Sequence, residues 1–230
     1  HHDPSRAVMR AVERAVRQFR MLPDGASVAV GLSGGKDSFL LHACLRALQA
    51  RGDLNFRLTA VHLDQHQPGF DRPTFDASLA TQGIDCHVVS KDTWSVVASK
   101  LGPTDIPCAL CSRMRRGVLL AWCKEQGHSH LALGHHLDDA VETFFMNLFF
   151  GRRLEPMRAV TPSDNTGVTV IRPLLLVEEA KVIAWARQAG VATVDCPVCS
   201  SYPRSQRQRV GEMVAALRTQ HPDLDASVRA

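Results

Sequence analysis

Six residues near the start of the chain, Ser33-Gly34-Gly35-Lys36-Asp37-Ser38, constrain it more than any other feature. They follow Ser27-Val28-Ala29-Val30-Gly31-Leu32, which reads as a short buried strand, and they run into Asp37 to Leu48, which reads as a helix. A strand that passes through two glycines into a helix turns its backbone N–H groups inward at the positive end of the helix dipole. That arrangement cradles phosphate. Ser33 and Ser38 add hydroxyl donors, and Asp37 among phosphates makes sense only if it holds Mg²⁺. The loop is shorter than the Gly-x4-Gly-Lys-Ser/Thr form. The competing reading is a glycine turn that caps a helix and does nothing more. The full hexapeptide is more constrained than a lone Gly-Gly.

Around this loop, strands alternate with helices. A helix over Ser5 to Phe19 has Val8, Val12, Ala15 and Phe19 on one face and an arginine stripe (Arg6, Arg10, Arg14, Arg17) on another. The stripe is a solvated face or a contact with a nucleic-acid backbone. Strands are expected at Phe56 to Leu63, Cys86 to Val89, His130 to Gly134 and Val168 to Ile171. Helices are expected at Thr74 to Gln82, Ser112 to Gly127, Asp138 to Phe150, Val177 to Gln188 and Arg204 to Thr219, with 151–166 irregular. The pattern is α/β, a parallel sheet flanked by helices. It divides into an N-terminal helix in 1–24, a domain carrying the loop and the cysteines in 25–220, and a short tail in 221–230.

Seven cysteines are present, four of them in the pairs Cys108-Ala109-Leu110-Cys111 and Cys196-Pro197-Val198-Cys199. Two Cys-x2-Cys pairs fit a tetrathiolate zinc site, a redox dithiol or an iron–sulfur cluster. A whole βαβ stretch separates the pairs, which disfavours a compact zinc knuckle. Cys44, Cys86 and Cys123 read as small hydrophobes of the core. An odd cysteine count, without a visible signal peptide or an apolar run of about 20 residues, points to reduced thiols in the cytoplasm and no membrane.

Net charge is +4, and only five of the 27 basic residues are lysines. Arginine's planar fork suits bidentate phosphate contacts, although a GC-rich genome gives the same bias. Aromatics are only 6%, which argues against a stacking platform for single strands.

Gly134-His135-His136-Leu137-Asp138-Asp139 is a second polar cluster. Adjacent carboxylates at a strand end bind a metal or orient a nucleotide, and the histidines beside them invite a zinc reading. Capping of the next helix by Asp138 is the plainer alternative.

The glycine hexapeptide resembles the pyrophosphate loop of the N-type ATP pyrophosphatases, which implies an adenine-nucleotide α-hydrolase (PP-loop ATPase) sheet. In order along the chain, Cys108 to Gly117, Gly134 to Asp139, Glu142-Thr143, Asn147 to Gly151 and Cys196-x2-Cys199 with Gln206-Arg207-Gln208 resemble the tRNA 2-thiocytidine synthetases. These motifs run from Ser33 to about Val210. The resemblance implies ATP, Mg²⁺ and a [4Fe-4S] cluster, with adenylation of O2 of an anticodon-loop cytidine and its replacement by sulfur.

Carried over residue by residue, the resemblance makes Ser33, Gly34, Gly35, Lys36, Asp37 and Ser38 the pyrophosphate site. Ala60, His62, Gly134 and Asp139 would complete the nucleotide site. Asp37, Asp139, Cys108, Cys111 and Cys199 would carry the chemistry. Cys108 and Cys111 would ligate the cluster, with Cys199 favoured over Cys196 as the third ligand. The fourth iron would be open to sulfide or to a cysteine desulfurase persulfide. A homodimer is compatible with the resemblance.

Arg113, Arg115 and Arg116 after the first pair, and Arg204, Arg207 and Arg209 after the second, flank the cysteines and suit phosphates of an anticodon loop. The chain departs from the family at Ser200-Ser201-Tyr202, where Gly-Ser-Gln is usual, and before the retained Pro68-Gly69-Phe70. Two other functions share part of the pattern. One is an adenylating enzyme with another acceptor, such as a different RNA base or an amidation substrate. The other is a zinc-stabilised nucleotide- or RNA-binding protein.

Overall fold

The computed structural model describes residues 2–102, 107–194, 206–221 and 223–224. The chain begins with α1 (Arg6–Gln18) and enters the sheet at β1 (Ala26–Gly31), followed by α2 (Lys36–Arg51). Next come β2 (Phe56–Asp64), α3 (Arg72–Gln82), β3 (Cys86–Ser90) and α4 (Trp94–Ser99). After α5 (Cys108–Glu125), β4 (His130–Ala132) and α6 (Leu137–Phe149), the short strands β5 (Val160–Pro162) and β6 (Thr169–Ile171) lead to α7 (Glu179–Gln188) and α8 (Gln206–Gln220).

The strand order is β3-β2-β1-β4-β6-β5, all parallel except β5, which pairs antiparallel to β6. The chain winds outward from β1 through β2 to β3, then returns to place β4 on the other side of β1. The crevice between β1 and β4 is therefore a topological switch point, where open α/β sheets bind ligands at the carboxyl ends of their strands.

Strand β1 is covered on both faces, as its continuous apolar run requires. Val28 and Val30 join Phe39, Leu40 and Leu41 of α2, Val12 of α1 and Trp185 of α7 in the larger core. Ala29, one position out of phase, joins Val61, Leu63, Leu131 and the α5 residues Leu119 and Cys123 in the second. The arginines of α1 face solvent while Val8, Val12 and Ala15 are buried, as either reading of the stripe requires.

Several expectations need correction. The helix expected from Ser112 begins earlier and includes the first cysteine pair. Helix α5 starts at Cys108, and Cys111 N–H donates to Pro107 O at 2.9 Å. A proline needs no N–H donor at a helix start and has its φ preset, so Pro107 opens the helix instead of delaying it. The stretch 151–166 is not wholly irregular, since it contains β5. The sheet accordingly has one antiparallel edge. Helix α4 was not expected, and Cys86 is only half-buried. Cys44 and Cys123 are buried as expected.

Candidate functional site

The glycine loop lies at the switch point. Gly34 takes φ +90°, a left-handed conformation that glycine adopts without strain, and a Cβ there would meet Val194 at 3.2 Å. Gly35 is the N-cap of α2 and offers no side-chain cap, so the first N–H groups of the helix point at the loop. Ser38 Oγ donates to Gly35 O at 2.8 Å and accepts from Ser33 N–H at 3.2 Å. These bonds set the curvature of the loop before any ligand arrives. From the other side of the crevice, Gly134 packs on the start of α2. A Cβ there would lie 3.0 Å from the Asp37 carbonyl carbon and 3.1 Å from Ser38 N. Only a glycine after β4 lets the two strand ends approach this closely.

Charged groups gather beside the loop. Lys36 Nζ bridges Asp37 Oδ1 at 3.2 Å and Glu179 Oε1 at 3.0 Å. Burial raises the Asp37 pKa, against the pull of Lys36 and His136. Burial lowers that of Lys36, but Asp37 and Glu179 more than offset it and the pKa ends above its ordinary value. His136, only 6% exposed, caps α6 in a reciprocal box. Its side chain accepts from Asp139 N–H, and its own N–H donates to Asp139 Oδ2 at 3.0 Å. The alternative in which Asp138 caps α6 is thus not the one adopted. Asp138 Oδ2 instead accepts the Glu179 N–H at 2.7 Å, capping α7, and Oδ1 pairs with Arg218 at 2.6 Å.

On the β2 side, Ala60 and His62 are buried. His62 stacks on Phe70 and packs on Phe75 with ring centroids at 5.1 and 4.3 Å. Its Nδ1 lies 2.8 Å from Leu32 O and so carries the proton. Burial lowers its pKa and keeps the ring neutral, which leaves Nε2 as a buried acceptor with no hydrogen-bond partner.

The first cysteine pair reaches the same edge. Cys111 Sγ lies 3.4 Å from Oε1 of Gln65, a buried residue directly after β2. Cys108 and Cys111 are both half-buried and outside any disulfide, one helical turn apart. Two thiols at i and i+3 on one helix face fit two ligands of a cluster. Cys196, Cys199 and Arg204 lie outside the described residues, as does Ser200-Ser201-Tyr202. The last described residue before them, Val194, donates its N–H to Gly34 O at 3.0 Å. Among the described residues, no group of three or more His, Cys, Asp or Glu side chains could hold a metal ion.

Of the arginines expected to face RNA, Arg113, Arg116 and Arg209 are exposed and Arg115 is half-buried. Arg207 is turned inward, with Nη1 2.7 Å from Asp139 Oδ1 and 3.5 Å from Glu142 Oε2. Sequence reasoning missed Glu179, His136 and Val194 as parts of this site. Glu179 and Val194 reach it only through tertiary packing and carried no local signal. His136 stood inside a motif already singled out.

A PP-loop domain family matches residues 7–210. The tRNA-cytidine(32) 2-sulfurtransferase of Aromatoleum aromaticum is 40% identical over 93% of this chain and 67% of its own length. The enzyme of the same name from Deinococcus radiodurans is 40% identical over 96% of this chain and 75% of its own length. That of Xylella fastidiosa is 42% identical over 95% and 73%. Among solved structures, the U34-tRNA thiolase NcsA from Methanococcus maripaludis with its [4Fe-4S] cluster superposes with a TM-score of 0.73. It is 25% identical, and the match covers 96% of this chain and 76% of that one.

Proposed function

The chain belongs to the PP-loop family and, within it, to the tRNA-cytidine(32) 2-sulfurtransferases, and from that premise we propose how its own residues carry out a thiolation. The reaction is ATP-dependent formation of 2-thiocytidine in the tRNA anticodon loop. O2 of the cytidine attacks the α-phosphorus of ATP and pyrophosphate leaves. Sulfur then adds to C2 and the oxygen departs with AMP. Adenylation is needed because a carbonyl oxygen is a poor leaving group and a phosphate ester is a good one.

The observation that carries this reading is the shared edge. The glycine loop after β1, the unpartnered His62 near the carboxyl end of β2 and Cys111 of α5, beside Gln65 just after β2, lie along one carboxyl edge of the sheet. Backbone N–H groups of Gly34 to Ser38, with the Ser33 and Ser38 hydroxyls, hold the pyrophosphate, and Lys36 balances its charge. The neutral His62 Nε2 accepts from an amino group, as the adenine ring supplies, beside Ala60. Asp37 and Asp139 would hold Mg²⁺, which neutralises the departing pyrophosphate.

Cys108 and Cys111, with Cys199 or Cys196 as the third ligand, would hold a [4Fe-4S] cluster, which would supply the sulfur to be transferred. Cys199 is the favoured third ligand. Arg113, Arg115, Arg116, Arg204 and Arg209 contact phosphates of the anticodon loop, while Arg207 orients Asp139. The sulfur comes from sulfide, supplied directly or released from a cysteine desulfurase persulfide by a second thiol, which takes the other sulfur as a disulfide. The described helices include none long and apolar enough to cross a membrane.

The test is mass spectrometry of tRNA nucleosides from a strain lacking the gene. Loss of 2-thiocytidine, restored by the parent gene and not by Cys108→Ser, is the expected result. Persistence of 2-thiocytidine in that strain would leave the adenylating chemistry with a different acceptor.

A further inference from the structure

Arg172 follows β6 immediately, at the same carboxyl edge of the sheet as the glycine loop but on the far side of β4. It is 7% exposed, the one buried arginine among the described residues. Its Nη1 donates to Arg158 O at 2.7 Å and to Thr161 Oγ1 at 3.1 Å. Its Nε is buried with no hydrogen-bond partner.

Other arginines of the molecule that approach acids are more exposed than this one. Arg51 meets Glu13, Arg72 meets Asp76, Arg207 meets Asp139 and Arg218 meets Asp138. Arg172 meets none among the described residues. The charged group that acts on it is another cation, Arg116, and burial together with that neighbour pushes its pKa down to about 10. His135, three residues beyond β4, is pushed down to about 4 by burial first and by the charge of Arg172 second, and its Nδ1 likewise lacks a partner.

A buried guanidinium without a counter-charge is costly. Burying it with a second arginine close by adds to that cost unless an anion completes the group. A tetrahedral oxyanion suits the planar fork, and phosphate is the one this reaction offers. Arg172 follows β6, across β4 from the glycine loop, so its site is separate from the one that holds the pyrophosphate.

We propose that Arg172, with the exposed Arg116 of α5 adding to the positive field around it, is a second phosphate site, which receives either a phosphodiester of the bound RNA or the α-phosphate of the nucleotide. The inference rests on the thiolation reading for the identity of the RNA but not for the presence of the site.

The test uses the purified full chain and two binding measurements. ATP affinity is measured by calorimetry without RNA, and tRNA affinity by filter binding across a salt series. Arg172→Met and Arg116→Gln are each expected to weaken one ligand about five- to tenfold. If the RNA fills the site, tRNA affinity falls uniformly, its log–log salt slope becomes shallower by about one, and ATP affinity holds. If the nucleotide fills it, ATP affinity falls instead.

Arg172→Lys keeps a charge without the fork and is expected to lie between parent and Arg172→Met. It also serves as the buried-site variant should the methionine chain fail to fold. Parental affinities in both arginine variants would overturn the proposal. A parent that binds no tRNA at all would sink the thiolation reading instead, and the ATP arm would still decide this site.

Discussion

The two ends of the central strands are built from similar residues and treat them in opposite ways. At the amino end, Ser27, His128, Ser129 and His130 satisfy one another. Ser27 Oγ lies 2.9 Å from His128 Nδ1, Ser129 Oγ accepts from Ser27 N–H at 3.0 Å, and Ser129 Oγ lies 2.8 Å from His130 Nδ1. At the carboxyl end, His62 Nε2, His135 Nδ1 and Arg172 Nε are buried with no partner.

Each unsatisfied buried group costs on the order of 1–3 kcal/mol. A fold that closes one end with its own side chains and leaves the other unfinished concentrates that cost where ligands complete it. Unpartnered polar atoms therefore mark the working end as clearly as the glycine loop does.

The comparison breaks most sharply at the thiols. Cys108→Ser at the working end should reduce 2-thiocytidine formation at least about a thousandfold, the scale of losing an essential group, while tRNA binding stays near parental. Retained thiolation in vitro would remove the cluster from the mechanism. Asp37→Asn should lower ATP–pyrophosphate turnover about a hundredfold, as removal of a charge stabiliser does. Gly134→Ala should weaken ATP binding about tenfold and cost about 1–3 kcal/mol in urea unfolding, because the new methyl meets the backbone of Asp37 and Ser38. Unchanged ATP affinity would show that the two strand ends can part without harm.

Two smaller effects sharpen the contrast. Burial pushes the pKa of His42 in α2 and of His135 at the site from 6.5 down to about 4. Depressed histidines contribute stability that is present above about pH 6.5 and is lost as the pH falls towards 4. At about pH 5 each should cost roughly 2 kcal/mol. Asp37 and Glu142 are shifted upwards by burial, so their contribution has the opposite sign. It is greatest in acid and declines as the pH rises through their folded values. His42→Gln should flatten the acid slope of unfolding, and saturating ATP should move the ring signals of His135 but not those of His128 and His130. Last, Ser129→Ala should cost about 1–2 kcal/mol of stability and leave thiolation at the parental rate, since its bonds are all at the finished end.

What the sequence disclosed, and what it hid, follow the same division. The loop was legible because glycines, a lysine and an aspartate at fixed spacing have few other uses. The apolar strands β1 and β2 were legible by their runs of buried residues. Strand β5 was hidden because it has three residues and ends in Pro162, which is tolerated only at an edge. Helix α4 has six residues, too few for a helical period to show. Asp138 stood as the alternative cap of α6, and His136 was not considered, because aspartate is a common N-cap and histidine an uncommon one. Arg172 was missed altogether, since Ile171-Arg172-Pro173 reads as an exposed strand end and arginine is seldom buried. Pairings such as Lys36 with Glu179 and Arg207 with Asp139 join segments far apart in the chain and leave no local trace.

The hydrogen bond from Val194 to Gly34 has a consequence for reading genetic variants. A bulkier side chain at 194 would press on a glycine whose backbone cannot yield without reshaping the loop. An allele there would be scored as a nucleotide-binding lesion, although the residue carries no group that a nucleotide could recognise. Two residues further on is Cys196, so the same allele would also be grouped with cysteine-pair mutants. A phenotype that bridges both classes at this position would report mechanical continuity between them and not a shared ligand.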